Sequence, residues 1–134
     1  MIKMIEIIIA ILQIILAIGI IGFWIYFFLV ENKNPDKTEW YLKHERSFPL
    51  PDLGLITTCL IISAIGLLTG QRFGLFFTIV ASGALFFLGL IDFAFNFQNG
   101  LFKTKDMDAY MSIFIVSAVL VLGIICIIYG YLNF

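Results

Sequence analysis

The sequence predicts an all-α integral membrane protein, an antiparallel four-helix transmembrane bundle, and three observations carry that prediction. Hydrophobic residues make up 62% of the 134 residues and charged residues 13%, whereas soluble domains are roughly 45–50% apolar and about 25% charged. The apolar residues gather in four runs, each close to the ~20 residues a helix needs to cross a ~30 Å hydrocarbon core. The runs are continuous, whereas membrane barrel strands alternate over about 10 residues. Backbone groups in lipid must pair within the protein, so these runs are helices. The net charge of −1 leaves no basic footprint for nucleic acid.

The first span is expected over about 7–30. Its apolar stretch exceeds that of a signal peptide, and no small-residue cleavage site follows it, so it reads as a retained span. Phe23, Trp24 and Tyr26 near its end fit an aromatic belt at the membrane surface. A polar loop, 31–50, follows and contains the turn signal Asn34-Pro35-Asp36. The second span runs over about 52–69. Pro51 suits its first turn, where a missing N–H is harmless, and Asp52 complements the positive end of the helix dipole. Gly70-Gln71-Arg72 makes a tight connection to a third span over about 73–97. Asn99-Gly100 closes that span, because glycine accepts the left-handed conformation after a helix end. The fourth span covers about 107–132. The short connections make neighbouring helices antiparallel, and the whole chain, 1–134, reads as one four-helix domain.

One face of the membrane receives Lys33, Lys37, Lys43, Arg46, Lys103 and Lys105, while the other receives Lys3, Arg72 and both termini. The positive-inside rule then places both termini outside. The composition points to the plasma membrane of a prokaryote.

Small and polar residues on each span recur at the alternating three- and four-residue spacing that lines one side of a helix. The rows are Glu6, Ala10, Gln13, Ala17, Ile20 and Trp24; Asp52, Ile56, Cys59, Ser63, Gly66 and Gly70; Thr78, Ser82, Leu85, Gly89, Asp92 and Asn96; and Ala109, Ser112, Val116, Val119, Gly123, Cys126 and Gly130. Small residues at such positions let membrane helices approach closely, and Gly66-x-x-x-Gly70 is a match to that motif. Phe76, Phe77, Phe87 and Phe95 fall mainly off the third row.

Asp92 stands apart, because an ionisable group at membrane depth is costly unless paired, hydrated or neutral. Asn96, one turn further on, is placed to hydrogen-bond to it. The antiparallel order would collect Asp52, Asp92, Asn96 and Asp108 at one mouth of the bundle, with Arg46 in the loop above. This mouth has two readings: a site for an ion, a proton or a polar head group, and a structural clamp in which Arg46 pairs with Asp52 or Asp92. Glu6 and Gln13 form a second polar pair near the other face. There an Arg72–Glu6 bridge is one expectation and a path from Glu6 through Gln13 towards Asp92 is another.

The inventory removes several chemistries. The spacing of Cys59 and Cys126 along their spans leaves them too far apart in depth for a disulfide. A single histidine, His44, excludes bis-histidine haem and a histidine-rich zinc site. No phosphate-binding glycine loop or nucleophile elbow is present. A carboxylate can act alone as a general acid or base, but no residue pattern demands catalysis. No metal or cofactor is predicted.

The stretch from Glu45 to Asp52, together with Leu90-Ile91-Asp92 and the Asn96 to Gly100 segment, resembles small prokaryotic four-span membrane proteins. The resemblance covers about the middle half of the chain. It implies the four-span architecture and assigns no activity. Three functional classes therefore stay open: permeation of an ion, a proton or a small solute, in an oligomer; a non-catalytic accessory or scaffold subunit of a membrane complex; and binding of a lipid or isoprenoid. The partners expected are membrane lipids and either further copies of the chain or another membrane protein.

Overall fold

The computed structural model describes residues 1–134 and is entirely helical outside its turns. In order the elements are α1 (Met4–Leu29), a 3-10 turn (Glu31–Lys33), α2 (Glu39–Glu45), α3 (Pro49–Pro51), a π-helical turn (Asp52–Thr57), α4 (Thr58–Leu68), α5 (Arg72–Gln98) and α6 (Met107–Asn133). From Pro49 to Leu68 the helix runs without a break. Four helical stretches are long and apolar enough to cross a membrane: Met4–Lys33, Glu39–Leu68, Arg72–Gln98 and Met107–Asn133. The second helix thus begins three residues before the expected span. The expected loop 31–50 is largely helical, because Glu39–Glu45 offers good helix formers with nothing to break them. Asn34 still makes the expected turn, its side-chain oxygen accepting from the Asp36 N–H at 2.9 Å.

The helix ends follow local chemistry. The Glu6 carboxylate accepts the Lys3 backbone N–H at 2.8 Å and so caps the start of α1. Pro49 and Pro51 occupy the first turn of the second helix, where their lack of an N–H costs nothing. At the end of α4, Gly70 has φ +68°. Gln71 N–H bonds to the Gly66 carbonyl and Gly70 N–H to that of Leu67, which together form a Schellman closure. Gly100, with φ +67°, ends α5 in the same way, through Leu101 N–H to Asn96 and Gly100 N–H to Phe97. Asp106 starts α6, its side chain accepting from the Ala109 N–H at 2.8 Å.

The chain forms two compact units, Met1–Gly74 and Leu75–Phe134. In the first, the Trp24 indole meets Asp52, and a side chain added at Gly70 would lie 3.9 Å from Ile2. Opposite ends of α1 and of the second helix are therefore neighbours. Gly66 and Gly74 lie backbone against backbone: a Cβ on Gly66 would come within 2.4 Å of the Gly74 Cα, and one on Gly74 within 2.4 Å of the Leu67 nitrogen. The Ser63 hydroxyl donates to the Gly74 carbonyl at 3.0 Å in the same buried contact. Gly66 therefore works with Gly74 across the turn. The Gly66-x-x-x-Gly70 pairing fails because Gly70 lies beyond the helix end.

In the second unit, Gly130 faces Ile79, Gly123 faces Leu85 and the Ser82 carbonyl, and Gly89 faces Leu120 and Val119. The inward rows hold closely. Ala10, Gln13, Ala17, Ile20 and Trp24 are buried on α1, and Thr78, Ser82, Leu85 and Gly89 on α5. Gln13, Ser63, Thr78 and Ser82 are at most 1% exposed, while Ile11, Ile15, Ile18, Phe87 and Phe114 are all exposed. A few polar side chains thus lie within a largely apolar core, while the outward faces of the long helices also carry large apolar side chains.

Candidate functional site

The most tightly held polar group in the first unit is the carboxylate of Asp52. It is only 6% exposed, and the Trp24 Nε1–H donates to its Oδ2 at 2.9 Å. The second oxygen, Oδ1, is buried and meets no hydrogen-bond partner. Trp24 is equally enclosed, at 3% exposure, within an edge-on cluster: Phe23 and Phe27 rings lie 5.0 and 5.2 Å from its ring. The expectation that Trp24 belongs to a surface belt is thus corrected. Its position on the inward row decides its place, because a buried indole N–H needs an acceptor and Asp52 supplies one.

Local backbone geometry brings a second oxygen to the same turn. Asp52–Thr57 is a π-helical turn, whose hydrogen bonds reach five residues back instead of four. The Thr58 hydroxyl closes onto the Leu53 carbonyl, also five residues back, at 3.1 Å. The wider turn keeps Asp52, Ile56 and Thr57 on the buried side while Leu53, Gly54 and Leu55 are exposed. The Thr57 hydroxyl oxygen is buried and, like Asp52 Oδ1, meets no hydrogen-bond partner. Buried polar groups in proteins are almost always satisfied, so two partnerless oxygens on one helical turn are unusual.

Thr57 was absent from the sequence-based candidates. It lies one residue off the row through Asp52, Ile56 and Cys59, but in register with Leu60, Ala64 and Leu67, which are buried as well. The Trp24–Asp52 bond was not expected either, although Trp24 ends the first inward row and Asp52 starts the second.

The other candidates fall out differently. Arg46 does not contact Asp52. Its Nε donates to the Asn32 side chain at 2.7 Å and its Nη1 pairs with Glu39 at 3.2 Å. The helical course of 39–45 explains this, since it places Glu39 within reach of Arg46, two turns on. The expected clamp on Asp52 is replaced by a clasp between the 3-10 turn and the ends of α2. Glu6 caps its own helix, and Arg72 is exposed and makes no ion pair, so the Glu6–Arg72 bridge is absent. Gln13 is wholly buried seven residues further along α1.

In the second unit Asp92 is half-buried, and its main-chain carbonyl accepts from the Asn96 amide at 2.7 Å. Asn96 thus makes its bond one turn back as expected, but to the backbone in place of the carboxylate. Asp108 is exposed in the first turn of α6. Cys59 and Cys126 are buried and form no disulfide. No family model, curated protein or solved structure matches the chain.

Proposed function

We propose that the chain is a multi-pass membrane protein of four antiparallel spans that passes a proton, an ion or a small solute, with Asp52 as its working polar group. Two features support insertion. All four long helices carry large apolar side chains on their exposed faces, and a helix apolar all round is at home in lipid or in a large core. The contacts within each unit favour the antiparallel order: Ile2 with Gly70 and Trp24 with Asp52 in the first, and the descending series Gly130–Ile79, Gly123–Leu85 and Gly89–Leu120 in the second.

One observation carries the permeation reading. Asp52 is a buried carboxylate with one oxygen fixed by Trp24 and the other unpartnered. An intramembrane acid of that kind has no packing advantage over a neutral residue and marks an ion or proton pathway by its chemistry. Neither accessory packing nor lipid binding calls for it. A lone four-helix bundle is packed solid, so the permeating unit is an oligomer of this chain.

The test is flux in proteoliposomes holding the purified chain. Asp52→Asn is expected to abolish flux that the wild type supports and to leave the helix content unchanged, with Asp92→Asn measured alongside. Flux that survives Asp52→Asn and stops with Asp92→Asn would move the working site to the second unit. No flux from wild type, with a stoichiometric partner copurifying from native membranes, would replace this reading by the accessory one.

A further inference from the structure

We propose that the π turn at Asp52–Thr57 holds a proton-binding site, in which Asp52 Oδ1 takes up one proton. The inference rests on the reading of Asp52 as the working polar group and narrows what that group binds. Both oxygens are buried on one turn and unpartnered, while Trp24 holds the other carboxylate oxygen in place. A buried charge without a partner is expensive, and a single proton on Oδ1 removes the charge.

A cation fits less well. Hard metal ions in proteins take about six or more oxygen ligands, whereas this turn offers one carboxylate oxygen and one hydroxyl. No group of three or more His, Cys, Asp or Glu side chains is gathered anywhere in the chain. Uptake is simple in its balance: an aqueous proton forms an O–H bond at Oδ1, the carboxylate becomes neutral, and release to water reverses both changes. Trp24 does not exchange a proton; it positions the carboxylate through Oδ2.

The surroundings isolate Asp52 electrostatically. In α1, which packs against the turn, the ionisable side chains are Lys3 and Glu6 at the far end and Tyr26, which is exposed. In α3, Pro49–Pro51, there is none. In the turn itself Asp52 stands alone, and the next ionisable group along is the Cys59 thiol in α4. Protonation of Asp52 is therefore not set by a neighbouring fixed charge in these elements.

Trp24 supplies the reporter. The full chain carrying Trp40→Phe, so that Trp24 is the sole tryptophan, is placed in lipid nanodiscs and its emission followed against pH. We expect a one-proton titration that disappears in Asp52→Asn. Its midpoint is expected to stay fixed when choline is replaced by Na⁺ at constant ionic strength. A midpoint that falls by about one unit for each tenfold rise in Na⁺ would show competition by a cation and overturn the proposal. So would an unchanged titration in Asp52→Asn. If Asp52→Asn fails to fold, infrared difference spectra of wild type labelled at aspartate carboxyl carbons decide: a label-sensitive band of a neutral acid that tracks the Trp24 titration supports the site, and its absence refutes it. A titration without flux would retire permeation and keep the proton site; flux without a titration would do the opposite.

Discussion

Replacing Gly66 by alanine tests the tightest contact in the molecule. The new methyl would sit 2.4 Å from the Gly74 Cα and nitrogen and 2.8 Å from the Phe73 ring. An ordinary van der Waals contact begins near 3.4 Å, so the two backbones must part by about 1 Å, and backbone cannot rotate away as a side chain can. That separation also lengthens the Ser63 hydroxyl bond to the Gly74 carbonyl, now 3.0 Å, beyond useful range. Overpacking costs ~1–3 kcal/mol and a hydrogen bond within a membrane protein averages ~0.6 kcal/mol. Gly66→Ala should therefore destabilise by ~2–4 kcal/mol, a roughly thirty- to thousandfold change in the folding equilibrium. Gly74→Ala should match it, since the contact is reciprocal. Gly19, Gly22 and Gly83 are the controls: a Cβ on any of them meets nothing within 4 Å, so alanine should be neutral or stabilise by ~0.5–1 kcal/mol through helix propensity alone. The assay is reversible unfolding in mixed micelles of lipid and denaturing detergent, followed by circular dichroism. If Gly66→Ala and Gly74→Ala proved as stable as Gly19→Ala, the close approach would be wrong, and the joining of the second helix to α5 with it.

Three further outcomes follow from other contacts. Trp24→Phe keeps the ring and removes the donor to Asp52 Oδ2; it should lower stability by ~1–3 kcal/mol in the same unfolding assay, and a change below the error would deny the bond. Gly70→Ala and Gly100→Ala force a side chain into φ near +68° and +67° and should each lose ~1–2 kcal/mol, with Gly100→Asn recovering part of it; equal stability of all three would contradict the helix closures. Arg46→Ala breaks the contacts with Asn32 and Glu39 at an exposed position, so the global loss should stay within ~1 kcal/mol. Limited proteolysis should nevertheless cut the 31–48 segment faster, and an unaltered cleavage rate would show that the clasp does not hold it.

Much of this organisation was legible in the sequence because membrane helices leave a simple record. Each small or polar residue avoids lipid, so the rows beginning at Glu6, Asp52, Thr78 and Ala109 mark inward faces without knowledge of any partner. Gly70 and Gly100 were equally readable, as both follow the last apolar residue of a run. The misreadings share a different cause. The Gly66-x-x-x-Gly70 motif assumes a helix continuing through both glycines, and the true partner of Gly66 lies eight residues on, across a turn. Arg46 was assigned to a distant aspartate because its segment was read as loop; once 39–45 is helical, Glu39 is the nearer carboxylate. Thr57 escaped notice because the buried face of the second helix is wider than one row: Thr57, Leu60, Ala64 and Leu67 are buried beside the row that starts at Asp52. Pro49, Pro51 and Gly54 mark a weakly constrained stretch, but no propensity scale specifies hydrogen bonds that reach five residues back.

The second helix divides its labour along its length. At Ser63 and Gly66 it is regular and pressed against the start of α5, where a Cβ on Gly66 has no room. At Asp52–Thr57 it widens, and there the buried oxygens without partners are found. A π turn leaves the backbone less well packed than an α turn and recurs at functional positions, so its coincidence with the costliest side chain of the unit is informative. Were Asp52 merely an anchor for Trp24, an asparagine or glutamine oxygen would accept the indole N–H with no charge to bury. A regular α turn would serve as well. The retained charge, the unpartnered Oδ1 and the widened turn are explained together when Asp52 must take up and release a proton while the rest of the helix stays fixed.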